Sequence, residues 1–341
     1  MEIEKMLCGF LTLTYACNNR CRWCYASTSD FKSDMMDFNL AKEFLYLMTD
    51  LGVTDVGLIG GEAIFHPNIY EIISFAKKLN LKTTLYTNGR ALAKKEVTDK
   101  LKKSGLDKIN FSVQSGKNFA KEHDKQVQVK GAWEETRQGI ENSFNAGLKI
   151  NIQTVLTHPN FEVYKEILNE FGYTRGLFIY YREIPIVSCD KSMLTAKVLS
   201  NKDTKEIYKK IYKYAKGKYR TYFFSRMPLC WWNDKDIDEK KIKKSVVAHC
   251  HIINGSVFTV DPYGKLLSCS QFTNMPSADL IENRKVISKK EFLEKYNYGT
   301  PKLVRDKLTY YPHKKCKSCK YFGKRCTGGC PLVKFKLGPF A

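Results

Sequence analysis

The chain has 341 residues, 43% hydrophobic and 27% charged, with a formal charge of +22 from 57 Lys plus Arg against 35 Asp plus Glu. That composition excludes a disordered chain, and no run approaches the ~18 apolar residues of a transmembrane helix. The start, Met1-Glu-Ile-Glu-Lys, lacks the basic-then-apolar layout of a signal peptide. A cytoplasmic protein is expected, where twelve cysteines bind metal more readily than they pair as disulfides.

Between about residues 8 and 185, short β-like runs alternate with amphipathic stretches. The strands read as 9–15, 55–59, 82–86, 108–113, 149–156 and 177–182, and the helices as 68–79, 94–103, 133–146 and 161–171. Gly89, Gly105, Gly147, Pro159 and Gly172 punctuate the joins. Repeated β-α units imply parallel strands with right-handed crossovers. Six strands are too few for an eight-stranded barrel, so the expectation is an α/β fold with a partial (β/α)6 barrel. After Pro185 the pattern breaks; 205–219 reads as a Lys/Tyr-rich helix with solvated lysines, and 256–267 as a strand-turn-strand. The division expected is a core over 5–215 and a small cysteine-rich domain over 216–341.

The strongest local signal is Cys17-Asn-Asn-Arg-Cys21-Arg-Trp-Cys24-Tyr25, directly after the first strand. Three thiolates on one loop suit a cuboidal iron–sulfur cluster and leave its fourth iron open. Structural zinc prefers four closed ligands, and no fourth Cys or His lies nearby in sequence. Gly60-Gly61-Glu62 follows the second strand, Thr87-Asn88-Gly89 the third, and Ser112 with Gln114 the fourth. These are the carboxyl ends of successive strands, where parallel α/β folds build their sites.

Cys17-x3-Cys21-x2-Cys24, with Trp23 before the last cysteine, resembles the signature of radical S-adenosylmethionine (SAM) enzymes. The resemblance covers about residues 8–185 and implies that SAM chelates the open iron and is reduced to a 5′-deoxyadenosyl radical that abstracts a substrate hydrogen. It further implies cofactor contacts from Gly60, Gly61, Glu62, Asn88, Ser112 and Gln114. The chain departs from the family in having Ala63 where Pro is frequent, and His66 reads as a helix-start residue rather than a catalyst.

In the tail, Cys250 precedes Gly264 and Cys269, and Cys316-x2-Cys319-x6-Cys326-x3-Cys330 follows. Over about 228–335 this resembles the SPASM domain, which carries auxiliary 4Fe–4S clusters. The resemblance implies that Cys250, Cys269 and Cys330, with Cys230, hold one cluster and that Cys316, Cys319 and Cys326 hold a second. The family's final cysteine is absent, so the second cluster is left with an open iron or a non-cysteine ligand, or does not form. A single zinc or cluster on Cys316, Cys319, Cys326 and Cys330 is the alternative. Cys8 reads as buried filler, and Cys189 as structural or as a hydrogen donor to a substrate radical.

The function implied is a maturase of a ribosomally made precursor peptide, forming a thioether or other crosslink or inverting an α-carbon. With its first cysteine at residue 17, the chain is expected to rely on a separate leader-binding protein or on its own basic surface. Sulfatase maturation to formylglycine, small-molecule dehydrogenation and, from another class, a basic zinc protein binding RNA are the competing readings. Ten ligating cysteines and three clusters would bring the charge to roughly +18. Residues 301–341 hold eleven Lys or Arg and only Asp306, a surface suited to an acidic flavodoxin or ferredoxin reductant rather than to nucleic acid or a membrane.

Overall fold

The computed structural model describes residues 3–26, 34–174, 177–181, 201–224, 229–232, 246, 250–270, 272–273, 275–308 and 314–328. Seven strands run parallel: β1 (Cys8–Thr14), β2 (Asp55–Gly60), β3 (Lys82–Thr87), β4 (Lys108–Ser112), β5 (Lys149–Leu156), β6 (Leu177–Tyr181) and β7 (Thr221–Phe224). The six strands expected from periodicity are present, each within one residue of the expected ends. Between them lie α1 (Phe38–Asp50), α2 (Ile69–Lys78), α3 (Lys95–Lys103), α4 (Ala120–Val127), α5 (Ala132–Asn145), α6 (Phe161–Phe171) and α7 (Asn201–Ala215). α1 was not read from the sequence, although Asp37 caps it through the N–H groups of Asn39 and Leu40 and Ala41, Phe44, Leu45 and Met48 are buried at helical spacing.

The sheet extends beyond β1 on the other side. β8 (Val257–Val260) pairs parallel with β1, from Cys8 opposite Val257 to Leu11 opposite Val260. β9 (Lys265–Leu267) and β10 (Ala278–Asp279) follow antiparallel, giving the order β10-β9-β8-β1-β2-β3-β4-β5-β6-β7. The strand-turn-strand of the cysteine-rich segment therefore grows directly from the edge of the barrel sheet. Among the described residues no helix is long and apolar enough to cross a membrane.

Strand alternation divides the sheet into two unlike faces. Leu11, Leu13, Val56, Leu58, Leu85, Ile109, Phe111 and Ile152 are all buried and form the apolar core with the helices; Gly9 abuts Met48 of α1. The opposite face is polar, with Thr12, Thr84, Asn110, Asn151 and Thr259 at 2–8% exposure. This face is concave. Phe10 of β1 and Tyr86 of β3 meet edge to face at 5.8 Å between ring centroids, although β2 lies between them. Gly57 makes the contact possible, since a Cβ there would lie 2.3 Å from Phe10 Cδ1. Gly57→Val should force Phe10 aside at a cost of about 1–3 kcal/mol, lowering the thermal midpoint by several degrees. An unchanged melting curve would contradict this account of the curl.

Candidate active site

β1 delivers the cysteine loop and β2 anchors it. Thr14 O accepts from Gly61 N–H at 2.8 Å and Ala16 O from Glu62 N–H at 2.7 Å. A Cβ on Gly60 would sit 2.3 Å from Thr14 O, and one on Gly61 would sit 2.5 Å from Tyr15 O and 2.6 Å from Ala16 O. Both positions therefore need glycine for the close approach of the protein's own backbone at the entry to the cysteine loop.

The other side of the loop rests on α4. Its last turn leaves carbonyls without intrahelical partners, and Gln126 O and Val127 O accept from Arg22 N–H at 3.1 Å and Arg20 N–H at 2.9 Å. Gln128, in the left-handed conformation at the helix end, donates its side-chain amide to Arg20 O at 2.6 Å. Arg90, one residue beyond the Thr87-Asn88-Gly89 turn, donates to Asn18 O at 2.5 Å and Asn19 Oδ1 at 3.0 Å, and pairs with Glu135. Neither support belongs to a motif, and the sequence reading missed both; only Arg90's place after the turn marks it.

Glu62 is 1% exposed. Its Oε2 accepts from Asn88 N–H at 2.7 Å and its Oε1 from Ile64 N–H at 3.5 Å. Asn88 in turn donates its side-chain amide to Asn18 Oδ1 at 2.7 Å and lies 3.9 Å from Cys17 Sγ. Burial pushes the Glu62 carboxyl up to about 7, against the opposing pull of the Asn88 N–H, the Thr87 hydroxyl, the Ile64 N–H and the Arg90 charge.

The three thiols of the loop share one site. Burial pushes Cys17 up to about 12 and Cys21 well above its ordinary value, and each feels the neighbouring cysteines. Asn19 N–H donates to Cys17 Sγ at 3.4 Å, and such N–H···S contacts favour the thiolate that binds iron. Among the described residues no three His, Cys, Asp or Glu side chains converge as a single-ion site requires. A cuboidal cluster instead gives each sulfur its own iron, so this donor set fits the cluster rather than zinc.

The remaining expected residues are distributed as follows. Gln114 donates to Ser112 Oγ at 2.9 Å and accepts from Val155 N–H at 3.1 Å, so both stand at the top of β4 and β5 but partner each other. His66 holds Met36 O at 2.7 Å through Nε2 and accepts from Asn68 N–H, a structural clamp. Cys8 is partly buried near Asp55 and Lys108 at the amino end of the barrel. Cys269 lies near the cysteine loop: Thr273 Oγ1 donates to Tyr25 O at 3.4 Å, and Tyr25 is within electrostatic reach of Cys24, Cys269 and Cys17. Cys250 N–H donates to Thr327 Oγ1 at 3.0 Å. Cys189 and Cys330 lie outside the described residues.

Residues 11–171 match the profile of the radical SAM superfamily. The chain is 27% identical over 206 residues to the GTP 3′,8-cyclase of Helicobacter pylori, covering 60% of this chain and 63% of that protein. It is 32% identical over 166 residues to the AdoMet-dependent heme synthase of Methanosarcina barkeri, covering 48% and 46%. The chain thus spans less than two thirds of these curated relatives. In fold it is similar to Streptococcus suis SuiB bound to precursor peptide SuiA, with a TM-score of 0.72 at 17% identity over 96% of this chain and 72% of that one. It is also similar to anSMEcpe with bound AdoMet and Cp18Cys peptide, with a TM-score of 0.69 at 16% identity over 96% and 89%.

The Glu62 carboxyl yields a pH prediction for the metal-free protein. Its folded pKa near 7 exceeds the ordinary 4.5, so the folded chain holds a proton that the unfolded chain has released. This contribution is fully present below about 4.5 and is lost as pH rises through about 7, on the order of 3 kcal/mol in all. Glu62→Gln should remove that decline, so its thermal midpoint should exceed wild type at pH 8 and approach it at pH 5. Parallel stability curves would contradict the assignment. The family uses a 4Fe–4S cluster and SAM, and the loop, the supports and the donor set suit them; residues 11–171 constitute a domain of the radical SAM superfamily.

Proposed function

We propose that the protein is a radical SAM enzyme that abstracts hydrogen from a peptide and matures it, with auxiliary 4Fe–4S clusters in its cysteine-rich tail. When bound, the cluster and SAM supply a 5′-deoxyadenosyl radical. The chain's own residues hold the cysteine loop and offer the concave sheet face to a substrate. Cys17, Cys21 and Cys24 would carry the SAM-binding cluster, with Gly60, Gly61, Glu62, Asn88, Ser112 and Gln114 around the cofactor.

The observation that carries the peptide reading is the chemistry of that concave face. Among the described residues, the cations at inward positions of β3–β5, Lys82, Lys108 and Lys149, stand at the strands' amino ends. Above them the inward positions present neutral hydrogen-bonding groups, the aliphatic Ile59 and Val155, and the rings of Phe10 and Tyr86. Asn151 Nδ2 donates to Asn110 Oδ1 at 2.8 Å, and no hydrogen bond within the described protein engages Asn110 Nδ2 or Asn151 Oδ1. Those two atoms offer a donor and an acceptor side by side, as an amide requires. A triphosphate such as that of GTP calls for Arg or Lys, and among the described residues this face carries neither above its floor. Similarity to peptide-bound SuiB and anSMEcpe over nearly the whole chain supports the same reading, whereas the GTP cyclase match covers 60% of it. A precursor peptide, a separate leader-binding protein and an acidic flavodoxin or ferredoxin meeting exposed Lys314 and Lys317 complete the proposed partners.

The test follows deuterium. Reconstituted protein with dithionite and SAM should transfer deuterium from a pool of perdeuterated peptides into 5′-deoxyadenosine, read by mass spectrometry, and should take none from ribose-deuterated GTP. The reverse pattern would overturn the peptide reading, and nucleoside formation by a Cys17/Cys21/Cys24→Ala variant would overturn the radical chemistry. Asn110→Leu with Asn151→Leu removes both members of a pair, which costs little in stability. It should lower peptide transfer by at least about tenfold, the worth of one well-made hydrogen bond at the substrate; unchanged transfer would count against the amide pair.

A further inference from the structure

Cys230 sits in a 3-10 turn, Leu229–Trp232, and that turn is docked on the far end of the chain. Leu229 N–H donates to Cys326 Sγ at 3.4 Å across 97 positions of sequence. Gly328 N–H reaches the same sulfur at 3.3 Å, and Cys326 is 6% exposed. A buried sulfur that accepts two backbone N–H groups is fixed in position by them, so the Leu229–Trp232 turn and the Cys326 segment are held together.

The segment around Cys326 is closed by short-range bonds. Cys316 O accepts from Cys319 N–H at 3.2 Å, Cys319 O from Phe322 N–H at 3.1 Å, and Cys326 O from Gly323 N–H at 2.9 Å. These place Cys316, Cys319 and Cys326 in one compact double turn. Cys230, the neighbour of Leu229, stands within electrostatic reach of these same three thiols. Cys250 approaches the segment just beyond Cys326, its N–H donating to Thr327 Oγ1 at 3.0 Å, while Cys269 faces the cysteine loop through Tyr25. Exposed Lys314, Lys315, Lys317, Lys320, Lys324 and Arg325 lie along the double turn and make its surface strongly positive.

We infer that Cys230 is the fourth ligand of a 4Fe–4S cluster held by Cys316, Cys319 and Cys326. It takes the place of the final cysteine that the tail lacks and leaves Cys250 and Cys269 to the other auxiliary site. The grouping implied by the resemblance, Cys230 with Cys250, Cys269 and Cys330, is thereby redrawn on the docking of the Leu229–Trp232 turn. The inference rests on the reading of the tail as a cluster-binding segment.

Alkylation of the reconstituted full-length protein tests it. Iodoacetamide is applied during stepwise oxidative removal of iron, and each cysteine is followed by peptide mass mapping. Cys230 should be protected in the loaded protein and should become reactive in step with Cys316 and Cys319. Reaction in step with Cys250 and Cys269, or from the outset, would overturn the inference. In a Cys316→Ala/Cys319→Ala variant, Cys230 should alkylate at least about tenfold faster, as a released surface thiol does, while Cys250 and Cys269 stay protected. Continued protection of Cys230 in a variant that has lost that iron would also overturn it. Iron content separates this from the underlying reading. About four iron atoms per wild-type chain, rather than about twelve, would mean that the tail binds no cluster at all.

Discussion

One buried carboxylate ties together the segments on which the site depends. Glu62 ends the glycine turn of β2, receives the first backbone N–H of the Asn88 turn beyond β3, and through Asn88 reaches Asn18 and Cys17 in the cysteine loop. Three chain segments distant in sequence are thereby fixed to one another through one hydrogen-bonded chain. The arrangement is costly when the site is empty, because burial opposes the charge on Glu62 and on Cys17 and Cys21. Metal ligation deprotonates thiols, so a bound cluster would have to displace these protons against the burial. The fold stores this cost by packing a large apolar face of the sheet against its helices.

The two faces of the sheet have different tasks. Packed parallel barrels fill their interiors with branched apolar side chains; here the apolar residues lie on the helix side, and the concave side carries threonines and amides. The sheet also continues past β1 into β8 and β9, so the tail's cysteines are positioned by the hydrogen bonds that build the barrel. Cys269 is held close to Tyr25 and the cysteine loop for that reason.

Much of this was legible in the residues. Strand periods and the glycines that end helices located all six expected strands, since both signals are local. The motifs at the strand ends were legible because their chemistry is written in consecutive residues. Less accessible was anything that depends on partners far apart in the chain. The pairing of Cys8 with Val257 has no local signature, and β7 is four residues in an aromatic run without a period. Arg90 and the end of α4 support the cysteine loop through backbone carbonyls and amides, which carry no sequence identity. Cys230 was grouped by resemblance with Cys250, and only the Leu229 N–H to Cys326 Sγ contact showed the other neighbourhood.

The central claim is that this preformed arrangement binds SAM at an open iron of the Cys17, Cys21 and Cys24 cluster. Electron paramagnetic resonance of the dithionite-reduced, reconstituted protein tests it most directly. Adding SAM should change the signal of one cluster, because a new ligand at a single iron alters its electronic environment while the others remain as they were. Spectra that superimpose with and without SAM would contradict the account.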